Sequence, residues 1–575
     1  MRILLLAILL LSGLPQDPQV PDLTLEDTTG RRHALPSKTS VYVFLGTECP
    51  MANRYLPRLA DLHKKFVDVA FFGVNSSAFE SVEAIAKHAK DMAVPFPVLL
   101  DRDQKLADAL KARLTPTAFV VDARRRVRYR GLIDDNKAEE LAKKRHLRDA
   151  IEAVLAGKDV EVPETEPVGC TIQRPLDAKE GPVTYASHAA KILNEHCVAC
   201  HRPGQVAPFS LTNYADARRW ARDAKRYVLA GAMPPWKPAN DGQFRGERRL
   251  SKEEIDALSA WADAGAPPGD LAAAPPPPKF PEGWMLGDPD LVLEAPGDWD
   301  VDPEGADEYR CFVLDPKLTE DRYVRAVEFR PGNARIVHHV MTYIDAKGDA
   351  VKFDESDPKL GYSSSGTGPG FMPLGDLGGW GPGMQPTPLE DGTGYFLPKG
   401  ARIVMEVHYH RNGRKEKDRT KIGLHFAKGA IRQRVRSHVV LNMSFLIPAG
   451  AKRHRITASW KVNEDLHAVA VIPHMHLLGK EIEVTATLPD GSKKSMVHIR
   501  EWDFNWQESY LFRKPFALPA GTLVRVTGWF DNSPGNPNNP RVPPRNVGFG
   551  EQTTDEMCVA YIAYVRDRDN AASDK

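Results

Sequence analysis

The sequence predicts a multidomain chain with three fold classes in series: an α/β domain, a small all-α domain and a C-terminal half of β-sandwiches. Strand-like apolar runs alternate with helical stretches up to about residue 165. Apolar residues then recur at helical spacing from Tyr185 to Ala266. Beyond a proline-rich stretch, short alternating runs are separated by Gly, Pro, Asn and Asp. At 575 residues the chain is too long for one hydrophobic core, and roughly 150 residues per domain implies three to five domains.

Met1 and Arg2 precede an apolar run from Ile3 to Leu11, then Ser12, Gly13 and a proline-bearing polar stretch. This reads as a signal peptide over residues 1–17. The run is far shorter than the roughly 20 residues that span a bilayer, and an uncleaved signal anchor is the alternative because no A-x-A site follows. The expected location is extracytoplasmic, periplasmic or secreted, with no further membrane span. Net charge is +1, so no basic field exists to recruit nucleic acid. Six cysteines in so long a chain are too few for a disulfide-stapled scaffold, and each needs its own explanation.

Residues 18–165 form the α/β domain, with strands at Ser40–Leu45, Val69–Val74, Phe96–Leu100, Ala118–Val121 and Val127–Gly131. In Phe44-Leu45-Gly46-Thr47-Glu48-Cys49-Pro50 a cysteine follows a buried strand and opens a helix. The helix dipole there lowers a thiol pKa and makes Cys49 a candidate nucleophile. Thr115-Pro116-Thr117 resembles the cis-proline loop of thioredoxin-like proteins, and the resemblance implies that fold. The match to the active-site motifs is incomplete: Ala52 stands where a CxxC has its second cysteine, and the peroxiredoxin T-x-x-C is shortened to Thr47-Glu48-Cys49. Cys170 is a candidate distant partner for Cys49, and a residual structural thiol is the alternative.

Residues 180–269 are expected to be helical. His196-Cys197-Val198-Ala199-Cys200-His201 contains C-x-x-C-H, whose two thiols can bond to haem vinyl groups while the next histidine ligates iron. Ser251 with Glu254 is a capping box opening a last helix that stops at Gly265. The segment resembles class I c-type cytochromes. That implies haem c on Cys197 and Cys200 with His201 and Met233 as axial ligands. A core methionine at Met233, a redox CxxC or half of a zinc site are the alternatives, although no second zinc-ligand pair is visible.

Residues 270–283 contain Pro275 to Pro278 and read as a stiff linker. After it, six of the 18 histidines fall in three clusters: His338-His339, His408-Tyr409-His410 and His474-Met475-His476. Residues i and i+2 of a strand share a face about 7 Å apart, so His474 and His476 can grip one ion. Adjacent His338 and His339 can share a metal only across a bulge or a twisted strand end. A thioether among imidazoles selects copper, because soft sulfur stabilises Cu(I).

Val337-His338-His339, Val407-His408-Tyr409, His474-Met475-His476-Leu477-Leu478-Gly479-Lys480 and Thr553-Thr554-Asp555-Glu556-Met557 resemble, in order, the ligand segments of the copper type II ascorbate-dependent monooxygenases. The enzymes in question are peptidylglycine α-hydroxylating and dopamine β-monooxygenase. The resemblance implies two jelly-roll-like β-sandwich subdomains, 284–430 and 431–568. It further implies one copper on His338, His339 and His408, and a second, oxygen-activating copper on His474, His476 and Met557. Tyr309 matches an aromatic near the first copper, Tyr561 a substrate-site tyrosine, and His410 is a candidate extra ligand. Ile472 and Val559 replace an arginine and an asparagine that contact a substrate carboxylate, so peptidylglycine is not the expected substrate. The family's disulfide partners of Cys311 and Cys558 are absent, which leaves these as free thiols.

The expectation is an oxidoreductase hydroxylating an organic substrate with O2. Its electrons come from an external donor, such as ascorbate, through haem c. The alternatives are a non-catalytic electron-transfer or copper-binding scaffold, or a thiol-dependent redox protein acting through Cys49.

Overall fold

The computed structural model describes residues 19–566 except 138, 204, 206, 281–282, 303–306, 365–367, 382–383, 410, 412–414, 505 and 551. The expected signal peptide and His410 lie outside the described residues. The chain divides into two compact units. The first comprises the described residues up to Ala189 with Pro208–Arg226 and Ala257–Ala273; the second comprises Ala190–Ala207, Tyr227–Asp256 and the described residues from Ala274 onward.

The first unit is built on a seven-stranded mixed sheet. Its order is Arg32–Ala34, Thr24–Asp27, Val98–Leu100, Ala70–Asn75, Ser40–Phe44, Thr117–Val121 and Val127–Gly131. Ser40–Phe44 pairs in parallel with Ala70–Asn75 and antiparallel with Thr117–Val121. Every residue of Ser40–Phe44 and Thr117–Val121 is buried. A strand covered on both faces reads as a continuous apolar run rather than an alternation, which is why these segments are visible in the sequence. The helix Pro50–Lys65 starts where Cys49 caps it, its sulfur accepting from the Ala52 amide at 3.4 Å. His63, Lys64 and Lys65 sit in its last turn, where positive charge opposes the helix dipole. The sequence reading missed the short antiparallel pair Leu114–Thr115 with Cys170–Thr171, because two-residue strands carry no periodicity.

The predicted helices are present as Ala190–His196, Tyr214–Arg219, Ala221–Leu229 and Lys252–Asp263. Ser251 and Glu254 make both bonds of the capping box, Glu254 N to Ser251 Oγ at 3.2 Å and Ser251 N to Glu254 Oε2 at 2.8 Å. The helical residues are divided between the two units rather than gathered in one. Beyond the turn Leu271–Ala273, residues 275–280 have no regular structure.

In the second unit an eight-stranded sheet runs through two sandwiches. Its first half is Leu291–Glu294, Lys421–Phe426, Arg322–Arg330 and Thr393–Leu397. That half shares a core with the five-stranded sheet Tyr362–Ser363, Glu308–Leu314, Arg402–Tyr409, Val337–Asp345 and Asp376–Trp380. Val324, Leu397, Ile422 and Leu424 meet Phe312, Val340, Ile403 and Met405 there. Its second half is Gln433–Leu441, Val559–Arg566, Leu466–His474 and Tyr510–Leu518. These strands pack on His454–Lys461, Leu523–Phe530, Gly479–Thr487 and Lys493–Ile499, with Val471, Ala560 and Ile562 against Ile482, Val484 and Val526. A parallel pairing of Thr393–Tyr395 with Gln433–Val435 joins the halves. Among the described residues no helix is long and apolar enough to cross a membrane.

Candidate functional site

Three neighbouring strands of the five-stranded sheet bring Tyr309 opposite His408 and His408 opposite His339. Regular alternation would send His338 and His339 to opposite faces. The ladder instead contains a bulge: Val337 and His339 pair with the consecutive residues Tyr409 and His408, so His338 is the extra residue. The nitrogens of His338, His339 and His408 consequently lie within 4.8 Å of one another. The Nδ1 of His339 stands 3.2 Å from that of His338 and 3.3 Å from that of His408. A tetrahedral ion with metal–nitrogen bonds near 2.0 Å has ligand–ligand edges of about 3.3 Å, so the donor set fits one imidazole-bound metal. Asp307 takes the other nitrogen of His408, Nε2, at 3.0 Å, which leaves Nδ1 facing the cluster. Tyr309 stacks on the His408 ring at 4.1 Å. Burial, then the neighbouring His408 and His338, push His339 well below the ordinary imidazole pKa, which keeps it in the neutral form that binds metal.

The second cluster sits where the strand Leu466–His474 ends. His474 and His476 share a face, with ring centroids 5.0 Å apart at 86°. Gln507 holds His474 Nδ1 at 2.5 Å and the Asp555 carbonyl holds His476 Nδ1 at 3.2 Å, which fixes the orientation of both rings. His474 pairs with Val559, two residues beyond Met557. The fully buried Glu556 fastens the two segments, accepting from the amides of His476 at 3.0 Å, Leu478 at 2.6 Å and Met557 at 3.2 Å. Burial raises Glu556 to about 8 against the pull of those amides. Met557 is itself buried. Tyr561 lies opposite Ile472, its phenol pushed up to about 12 by burial.

One ring touches both clusters. Phe504 stacks on His338 at 5.0 Å and meets His476 edge-on at 5.9 Å. Asp307, Phe504, Gln507 and Glu556 were all missed by the sequence reading. Three of them lie outside the histidine segments with no diagnostic spacing, and Glu556 adjoins Met557 without a pattern to mark it.

Cys197, Cys200 and His201 follow the helix Ala190–His196 on one continuing turn, with Cys200 N bonded to Cys197 O at 3.1 Å and His201 N to the same carbonyl at 2.9 Å. Burial raises both thiols, Cys197 to about 12. Met233 is 42% exposed and is not a core residue. The segment after it packs on the second sandwich: Arg248 pairs with Glu508 at 2.5 Å and Trp236 meets Tyr510 edge-on at 5.5 Å.

Cys49 is buried; its thiol donates to the Thr115 carbonyl at 3.0 Å. Thr115 pairs with Cys170 and also donates its hydroxyl to the Cys170 carbonyl at 3.4 Å, so both cysteines stand against Thr115. All six cysteines are free, including Cys311 and Cys558.

Fold and sites define a chain of oxidoreductase domains: a thioredoxin-like α/β domain and a β-rich half bearing two imidazole clusters. Residues 17–130 match the AhpC/TSA family, and residues 438–573 match the C-terminal domain of the copper type II ascorbate-dependent monooxygenases. The thiol-disulfide oxidoreductase ResA of Bacillus subtilis (strain 168) is 31% identical over 113 residues, 19% of this chain and 63% of that protein. Its counterpart in Geobacillus thermodenitrificans (strain NG80-2) is 28% identical over 115 residues, 19% of this chain and 64% of that protein. The chain thus spans a little under two thirds of the length of these relatives. Among solved structures, a hypothetical protein of Sinorhizobium meliloti 1021 is 29% identical, covering 28% of this chain and 95% of its own, with a TM-score of 0.26.

Proposed function

We propose that this chain is an exported copper-dependent monooxygenase that hydroxylates a C–H bond of an organic substrate with O2, its electrons entering through covalently bound haem c. The observation that carries the reading is the convergence of three imidazole nitrogens across the bulge at His338, with a second histidine pair sharing the ring of Phe504.

His338, His339 and His408 would hold one copper through Nδ1, and His474, His476 and Met557 the other, the thioether favouring Cu(I). Bound copper supplies single electrons and the activation of O2. The residues around it do the positioning. Asp307 and Gln507 fix ring orientation, Glu556 ties the methionine segment to the histidine segment, and Phe504 excludes water from the space it fills. Ile472, beside Tyr561, offers no charge to a carboxylate, which favours a neutral or apolar substrate group at that point.

Cys197 and Cys200 would carry the haem, with His201 and the exposed Met233 available to its iron. Arg248, in the segment after Met233, pairs with Glu508, and Glu508 adjoins the Gln507 that holds His474. This proximity supports a relay from haem to the second cluster. Covalent haem attachment outside the cytoplasm agrees with the leader read in residues 1–17.

The test uses the purified full-length protein loaded with metal. It should carry haem c and about two coppers per chain, and its reduced haem should reoxidise with O2 in a manner lost in Met557→Ala. Reoxidation indifferent to that substitution would instead establish a non-catalytic electron-transfer scaffold.

A further inference from the structure

Cys49 and Cys170 have no part in the copper reading, yet the fold goes to some length to bring them together. Ala52 occupies the place where a second thiol would follow Cys49 in the helix, and its amide is already committed to the Cys49 sulfur. Cys170 arrives from a distant strand whose two residues pair with Leu114 and Thr115. Its approach depends on Gly169: a Cβ there would lie 1.9 Å from the Thr115 carbonyl oxygen, so no side chain fits. The strand is then fastened from outside. Asp223 accepts from Thr171 N at 3.1 Å and from Thr171 Oγ1 at 2.5 Å, while Arg226 bonds both the Gly169 carbonyl and Asp223. Both cysteines line one cleft with Gly46, Glu80, Thr115 and Trp220, and both meet Thr115: the Cys49 thiol donates to its carbonyl at 3.0 Å and Cys170 is its ladder partner.

We propose that Cys49 and Cys170 are a catalytic dithiol that reduces a substrate disulfide and stores the oxidising equivalents as a Cys49–Cys170 disulfide. Cys49 is the nucleophile. As a thiolate it accepts from the Cys170 thiol and the Ala52 amide, and the first of these is the main cause of its lowering to about 6. The same contact, followed by burial, raises Cys170, which therefore holds its proton at rest. Cys49 S⁻ attacks one sulfur of the substrate disulfide; that S–S bond breaks, a mixed disulfide forms, and the departing thiolate takes the proton of Cys170. Cys170 S⁻ then attacks the Cys49 sulfur, and the second substrate thiolate leaves and is protonated from water. Two electrons pass from the pair to the substrate, and one disulfide replaces another. The reading is independent of copper, and its assay needs no metal.

Full-length protein treated with oxidised glutathione, quenched with an alkylating agent and digested, should yield a Cys49–Cys170 linked peptide that dithiothreitol removes. Cys170→Ser should trap glutathione on Cys49, and Gly169→Ala should do so in part by displacing Cys170. The pH midpoint of Cys49 alkylation, expected near 6 in the native chain, should rise in Cys170→Ser, a shift that a merely structural thiol would not cause. The proposal fails if no linked peptide forms, if hydrogen peroxide forms it and oxidised glutathione does not, or if Cys170→Ser leaves both the trapped species and the midpoint unchanged.

Discussion

Asp307→Ala should weaken the proposed copper site at His408 far more than the one at Met557. Asp307 Oδ2 lies 3.0 Å from His408 Nε2, and His408 is 1% exposed, so no water can replace the carboxylate without rearrangement. The same oxygen accepts from Thr553 Oγ1 at 2.8 Å, tying the loop before Met557 to the first cluster. Partners of this kind are worth about 10–100-fold in metal affinity, or roughly 1.4–2.8 kcal/mol. Alanine removes both hydrogen bonds and should fall at the upper end of that range. Asparagine keeps an oxygen that can accept from His408 Nε2–H, and Asp307→Asn should fall at the lower end. The assay is competitive Cu(I) titration against a chromophoric chelator, with His474→Ala as the background that isolates the first site. Affinity unchanged within about twofold in Asp307→Ala, or lowered equally at both sites, would refute the assignment of His408 as a ligand through Nδ1.

Gln507→Leu removes the 2.5 Å bond that orients His474 and should lower affinity at the second site alone by about tenfold, read by the same titration in a His408→Ala background. Asp357 is held at about 2, chiefly by its hydrogen bond from the buried Arg310. Because the folded pKa is depressed below 3.8, the stabilisation is full above that value and disappears as pH falls toward 2. Asp357→Asn should therefore cost roughly 1–2 kcal/mol at neutral pH, discounted for its partly open side. The gap to the native chain in denaturant unfolding should narrow between pH 5 and pH 3; a constant gap would exclude the ion pair as its source. Ser251→Ala breaks the capping box and should cost about 1 kcal/mol, visible as faster hydrogen exchange in the first turn of Lys252–Asp263.

Much of this chain was legible because its signals are local. Ser40–Phe44 and Thr117–Val121 are buried throughout and apolar after a first hydroxyl residue because both faces are covered, and residues 482–487 alternate apolar with polar side chains. Ser251 and Glu254 sit at the spacing one helical turn demands. The same holds for the candidate site residues: His474 and His476 needed only strand alternation to share a face, and Cys197 and Cys200 needed only one turn.

Other features depend on which strands pair, and at what register. Whether His338 and His339 could act together hung on an extra residue in the ladder opposite His408 and Tyr409. The meeting of Cys49 with Cys170 hung on a two-residue pairing at Thr115 and on the missing side chain of Gly169. Asp307, Phe504 and Gln507 reach the histidines from loops, where neither period 2 nor period 3.6 leaves a trace. Residue type and spacing determined which groups were available to bind metal, haem or a thiol partner. Their convergence was decided by register and loop closure, which are set by the burial of whole strands far from the site.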